Sequence, residues 1–167
     1  TIDLGFFSDK AEIITNVPLT GQNILQDPDI LSKLSTKVPN GSTNLSKSFK
    51  SIDLRDYESL FIITDGLPTG GFNTYLDENE KRSASQFLSL CDRKKLATSD
   101  CREKYHEEAF EYLNEKNRSI EVNVLLLYLE GDPRAPLLYG LQTIRSNGCF
   151  ITIPKDWSWE NKGKYFH

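Results

Sequence analysis

Apolar positions follow a period of two in some stretches and a helical period in others, and the changes of period mark out the elements. Residues 2–7 alternate loosely, Ser8-Asp9-Lys10 reads as a turn, and residues 11–15 read as a second strand, so the opening predicts a β-hairpin. Pro18, Gly21 and Pro28 punctuate a loop over residues 16–28. Ile30, Leu31 and Leu34 then recur at helical spacing over residues 29–37, with Asp27 or Asp29 as cap, and Pro39-Asn40-Gly41 ends that helix. Thr43 or Asn44 can cap the next helix, which runs to about Ile52 and turns Leu45, Phe49 and Ile52 inward. Residues 59–64 form a continuous apolar run, the pattern of a strand buried on both faces of a parallel sheet. The run stops at Asp65-Gly66, and a loop with further Gly and Pro follows over residues 67–73.

Residues 77–117 are highly charged and lack a period of two. They predict two helices, 78–95 and 100–116, joined at Ala97-Thr98-Ser99 with Ser99 as N-cap. Phe87, Leu88 and Leu90 are the inward residues of the first, and Tyr105, Phe110 and Leu113 those of the second. The pair reads as a helical hairpin inserted outside the core sheet. Residues 120–130 carry the strongest strand signal in the chain. Gly131-Asp132-Pro133 opens a helix over 135–146, with Leu137, Leu138, Leu141 and Ile144 inside, and Gly148 stops it before a last strand at 149–154. Strands alternating with helices predict an α/β fold whose parallel sheet is covered on both faces.

Composition narrows the function classes. The 167 residues suit one domain, and 38% hydrophobic with 26% charged residues excludes a disordered or collagen-like chain. The longest apolar run, residues 124–129, is far too short to span a membrane. A net charge of -4 without a basic stretch argues against nucleic acid and anionic membranes as partners. The chain has no Met and opens inside a strand, which suits an excised fragment better than a processed terminus. Cys91, Cys101 and Cys149 make no zinc pattern. Cys149 reads as a small buried hydrophobe. Cys91 and Cys101 flank the joint of the helical pair, where a disulfide and two free thiols remain equally open until the redox compartment is known. His106 reads as a surface helix residue, and Trp157 and Trp159 as packing on the end of the sheet.

Two segments carry candidate chemistry. The apolar strand ending in Asp65 puts a carboxylate at the carboxyl edge of a parallel sheet, where open α/β folds bind ligands. The turn Asn40-Gly41-Ser42-Thr43-Asn44-Leu45 opens a helix and offers a hydroxyl and free backbone N–H groups at that edge. A carboxylate facing a hydroxyl suits a hard cation with oxygen ligands such as Mg²⁺.

In order, Phe6-Phe7-Ser8-Asp9-Lys10-Ala11, Gly41-Ser42-Thr43-Asn44-Leu45 and Phe61-Ile62-Ile63-Thr64-Asp65-Gly66 resemble the von Willebrand factor type A (vWA) domain. Gly131-Asp132-Pro133, Gly148-Cys149-Phe150-Ile151 and Pro154-Lys155-Asp156-Trp157 resemble the final helix and strand of bacterial members. The resemblance implies a Rossmann-like, mostly parallel sheet flanked by helices over residues 1–157, with the 77–117 segment inserted and residues 158–167 as a tail. It implies a metal-ion-dependent adhesion site, in which a divalent cation (Mg²⁺, or Mn²⁺ or Ca²⁺) holds an acidic side chain of a protein partner. Thr43 matches the threonine of the second metal loop and Asp65 the aspartate of the third.

The family's first loop, Asp-x-Ser-x-Ser after the central strand, does not occur in this sequence. That strand lies between those matched by residues 2–7 and 59–64, so a gap or unpaired edge is expected there. Metal binding by Thr43 and Asp65 alone is expected to be weak or nil, since Mg²⁺ requires six oxygens in near-octahedral geometry. The expected function is a non-enzymatic protein-binding module. A metal-free assembly scaffold is the first alternative. A Mg²⁺-dependent phosphohydrolase using Asp65 is the weaker one, because no Ser/His/Asp or Cys/His set, P-loop or carboxylate pair accompanies that residue.

Overall fold

The computed structural model describes residues 2–8, 11–17, 43–74, 76–94, 98–127 and 133–153, with Pro28, Ser32, Ser35 and Thr36. The helix expected at 29–37, Asp132, Trp157 and Trp159 fall wholly or largely outside these residues. Strands β1 (Ile2–Phe7) and β2 (Ala11–Val17) form an antiparallel hairpin, as the short turn between them requires. Helix α1 (Leu45–Lys50) and a 3₁₀ turn (Leu54–Asp56) lead into β3 (Ser59–Thr64). Helices α2 (Glu78–Ser83), α3 (Leu90–Lys94) and α4 (Ser99–Lys116) precede β4 (Glu121–Leu127). Helix α5 (Ala135–Arg145) then leads to β5 (Phe150–Ile153). β3, β4 and β5 form a three-stranded parallel sheet in that order, with Ile62 opposite Val124 and Val124 opposite Phe150. The fold is therefore mixed α/β with a coarse Rossmann-like arrangement.

One face of this sheet makes the core. Ile62 of β3 and Val122, Val124 and Leu126 of β4 point to the same side. There they meet Leu45 and Phe49 of α1, Ala109, Phe110 and Leu113 of α4, and Ala135 and Tyr139 of α5. Phe49, His106 and Tyr139 all touch Phe110 edge-on or tilted, with ring centroids 4.6–6.2 Å apart.

The other face differs from the sequence expectation. Phe61 is 75% and Ile63 60% exposed, so β3 is not buried on both sides. The reason is topological. A right-handed crossover puts its helix on a fixed side, and the order β3-β4-β5 advances in one direction through both crossovers. Both crossover helices therefore land on the same face.

Six further expectations are corrected. The 77–117 segment is not wholly an addition outside the sheet, because α4 is the core crossover helix between β3 and β4. Its N-cap is Thr98, not Ser99, and the expected first helix breaks into α2 and α3, leaving Phe87 and Leu90 exposed and only Leu88 of the three buried. Helix α5 buries Ala135, Tyr139, Gln142 and Thr143 while Leu137, Leu141 and Ile144 face outward. Cys149 is exposed, and His106 is 4% exposed rather than a surface residue.

β1 does not pair with β3. At its start, Tyr57, two residues before β3, donates its hydroxyl hydrogen to the Asp3 carboxylate. Just past its end, the Ser8 carbonyl accepts from the Asn44 amide at 3.0 Å. The hairpin and the three-stranded sheet stay separate.

Helix α5 ends in a Schellman turn. Asn147 takes a left-handed φ of 58°, the Gly148 N–H reaches the Thr143 carbonyl at 2.8 Å, and the Asn147 N–H reaches that of Ile144 at 3.4 Å.

Candidate functional site

Asp65 stands immediately after β3, at the carboxyl edge of the parallel sheet. The turn that carries it is pinned from two sides. The Thr64 hydroxyl donates to the Gly66 carbonyl at 2.9 Å, and the Tyr139 hydroxyl donates to the same oxygen at 3.1 Å. The Arg102 guanidinium on α4 donates to the Leu67 carbonyl at 2.9 Å. These contacts leave Asp65 half-buried, between a strand end and a fixed loop.

Thr43 is tied to that loop through its backbone. Its carbonyl accepts from Thr69 N–H at 2.9 Å and Gly70 N–H at 3.1 Å, and its N–H donates to Thr69 Oγ1 at 3.0 Å. Asn44, the next residue, is fully buried. Its Oδ1 caps α1 by accepting from Lys47 N–H at 3.0 Å, and its Nδ2 donates to the Gly71 carbonyl at 2.8 Å. One side chain therefore starts the helix and locks it to the loop after β3. With the Ser8 contact, three loops converge at this end of the molecule: those after β1, before α1 and after β3.

The loop's far side rests on α3 and α4. The Gly71 N–H donates to Thr74 Oγ1 at 2.9 Å, and that hydroxyl donates to Asp92 Oδ1 on α3 at 3.0 Å. The Phe72 N–H donates to Glu108 Oε1 on α4 at 2.7 Å. Burial raises the Glu108 carboxyl above its ordinary range, with the Phe72 hydrogen bond opposing. A Cβ at Gly71 would overlap Glu108 and the Tyr105 ring, so the close approach requires glycine.

Of the predicted residues, Asp65 and Thr43 thus sit on loops that are hydrogen-bonded to each other. The oxygen donors that they offer a hard cation are one carboxylate and one hydroxyl. Among the described residues, no group of three or more His, Cys, Asp or Glu side chains could hold a metal ion. Sequence reasoning offered Asn44 as a cap but missed its tie to the loop after β3, along with the positioning roles of Thr69 and Thr74. An Asn one residue before an apolar helical face is a readable cap signal, but its second bond, to residue 71, leaves no trace in local pattern. A shallow depression elsewhere is lined by Lys81, Arg82, Ser85, Leu88 and Arg93. Two of its cations are engaged, Lys81 with Glu78 and Arg93 with the Ser85 carbonyl.

No family model, curated protein or solved structure matches the chain.

Proposed function

We propose that this chain is a protein-binding module of the vWA kind, non-enzymatic, which grips an acidic side chain of a partner protein through a divalent cation. Thr43 and Asp65 are its cation ligands within the chain, and Mg²⁺ is the expected ion, with Mn²⁺ or Ca²⁺ as substitutes. The observation that carries the reading is the convergence of the loops after β1, before α1 and after β3, with Asp65 at the carboxyl edge of the sheet and Thr43 bonded to the same loop. A hard cation needs about six oxygens, so two side chains leave most positions to water, to the partner's carboxylate and to a further loop. An Asp-x-Ser-x-Ser loop, carried by a strand between the edges of β1 and β3, would supply the remaining protein ligands.

The test is calorimetry with Mg²⁺ on this chain and on a longer one that begins with a strand and an Asp-x-Ser-x-Ser loop. Weak or no binding is expected for the first and clear binding for the second. Asp65→Ala in the longer chain should weaken the ion at least tenfold, and an acidic partner with it. Tight Mg²⁺ binding by the 167-residue chain would overturn the assignment of ligands.

A metal-free vWA-like assembly scaffold is the second reading. It is favoured by the exposed apolar side chains Phe61, Ile63 and Ile151 on one sheet face and by Leu137, Leu141 and Ile144 on α5.

A further inference from the structure

Cys91 and Cys101 are joined by a disulfide, with Cα atoms 5.6 Å apart, which ties the five-residue helix α3 to α4. Asp92, the residue beside Cys91, is buried, and both of its oxygens are used. Oδ2 accepts from the Ser89 hydroxyl at 2.7 Å and holds the start of α3. Oδ1 accepts from the buried Thr74 hydroxyl at 3.0 Å. That hydroxyl has one hydrogen, given to Asp92, and accepts the Gly71 N–H at 2.9 Å. The Gly71 carbonyl in turn receives Asn44 Nδ2 at 2.8 Å. A continuous relay thus runs from the disulfide through Asp92, Thr74 and Gly71 to Asn44, beside Thr43.

We propose that the Cys91–Cys101 disulfide is a redox-controlled clamp on the loop after β3: with the bond formed, Asp92 holds Thr74 and Gly71 in place, and reduction by a dithiol releases them. A thiolate of the dithiol attacks the sulfur of Cys91, the half-buried partner, and the bonding electron pair leaves on Cys101 sulfur, which takes up a proton. The second thiol then displaces Cys91 from the mixed disulfide. The dithiol ends as a disulfide, and Cys91 and Cys101 end as thiols. A five-residue helix has too few backbone hydrogen bonds to hold itself, so α3 depends on its tether. The loop is the one on which the proposed cation site stands, but the clamp is independent of any cation.

A built-in control comes from the neighbouring amide. Phe72 N–H is held by Glu108 on α4, which is long and packed into the core, and not by α3. Residue-resolved hydrogen exchange on the full chain, oxidised and after treatment with dithiothreitol, tests the clamp. Reduction should speed exchange at Gly71 at least tenfold while leaving Phe72 and the β4 amide of Val124 within twofold. Thr74→Val in the oxidised chain should reproduce the Gly71 change, and reducing that variant should add little to it. The Cys91→Ser/Cys101→Ser double variant should match the reduced chain. Equal acceleration at Gly71, Phe72 and Val124 would mean general loosening and would overturn the clamp. An unchanged Gly71 on reduction, or additive effects of Thr74→Val and reduction, would overturn it as well.

Discussion

The His106 imidazole lies between the Phe110 and Tyr139 rings, 4.6 and 4.9 Å from their centroids, and among the described residues its Nε2 has no hydrogen-bond partner. Burial disfavours the charged form and pulls its pKa from 6.5 down to about 4. The unfolded imidazole binds a proton as pH drops below 6.5, while the folded one resists until about 4. Stability is therefore full above the unfolded value and falls as the pH moves from there toward the folded one, by about 3 kcal/mol in total. Urea titrations between pH 7.5 and 4 should show this slope. His106→Phe, which keeps an aromatic ring in the stack, should remove that part of it. An unchanged slope in the variant would place the acid sensitivity elsewhere. The sequence carries a mixed signal for this residue: Phe110 and Leu113, four and seven positions on, mark the inward face of α4, while Arg102, Glu103 and Glu107 around it suggest a solvated one.

At the level of elements, the end of α5 shows how tightly a turn can be constrained. A Cβ at Gly148 would overlap the Val122 carbonyl, and β4 is paired on both sides and cannot retreat. Gly148→Ala should cost about 3 kcal/mol, read as a lower denaturation midpoint with unchanged m-value. Asn147→Gly, at the left-handed position, should be neutral or slightly stabilising. The strands were legible because their apolar runs are local, and the expected ranges lie within a few residues of those observed. The N-cap Asn44 was legible for the same reason. The inward face of α5 was not. Its most apolar stripe, Leu137, Leu141 and Ile144, faces outward, while Ala135, Tyr139, Gln142 and Thr143 dock. The Tyr139 hydroxyl reaches the Gly66 carbonyl, a contact across 73 residues that no helical periodicity records.

For the whole molecule, the decisive fact is that both crossovers turn the same way. This leaves Phe61 and Ile63 outside the core, although their sequence context is that of a doubly covered strand. Phe61→Ser and Ile63→Thr should therefore change unfolding free energy by no more than about 0.5 kcal/mol each. Sedimentation should show less self-association than in the parent chain. A loss of several kcal/mol would mean that this face is packed. Of the candidate site, Asp65 and Thr43 were readable as a strand end and a helix start. Their connection was not, because it runs mostly through backbone groups of residues 69–71, which every residue type carries, and through one long-range bond from Thr43 N–H to the Thr69 hydroxyl. Only the glycine at position 71, forced by the nearness of Glu108 and Tyr105, left a trace in the sequence.

The two uses of the Asn44 amide bear on how the protein can be made. Asn44-Leu45-Ser46 and Asn117-Arg118-Ser119 are acceptor sites for N-glycosylation, and in a eukaryotic secretory host the oligosaccharide is attached to the very nitrogen that this fold needs. Asn44 Nδ2 is committed to the Gly71 carbonyl inside the protein, and Asn117 Nδ2 bridges the carbonyls of Leu54 and Tyr57 at 2.9 and 2.8 Å. A sugar added to either side chain before folding would bar it from its place, so in such a host glycosylation and folding compete. Ser46→Ala removes the first acceptor site and, with it, a buried hydroxyl that has no hydrogen-bond partner among the described residues. Secreted yield from a glycosylating host should rise with that change, while yield from a bacterial host should not fall.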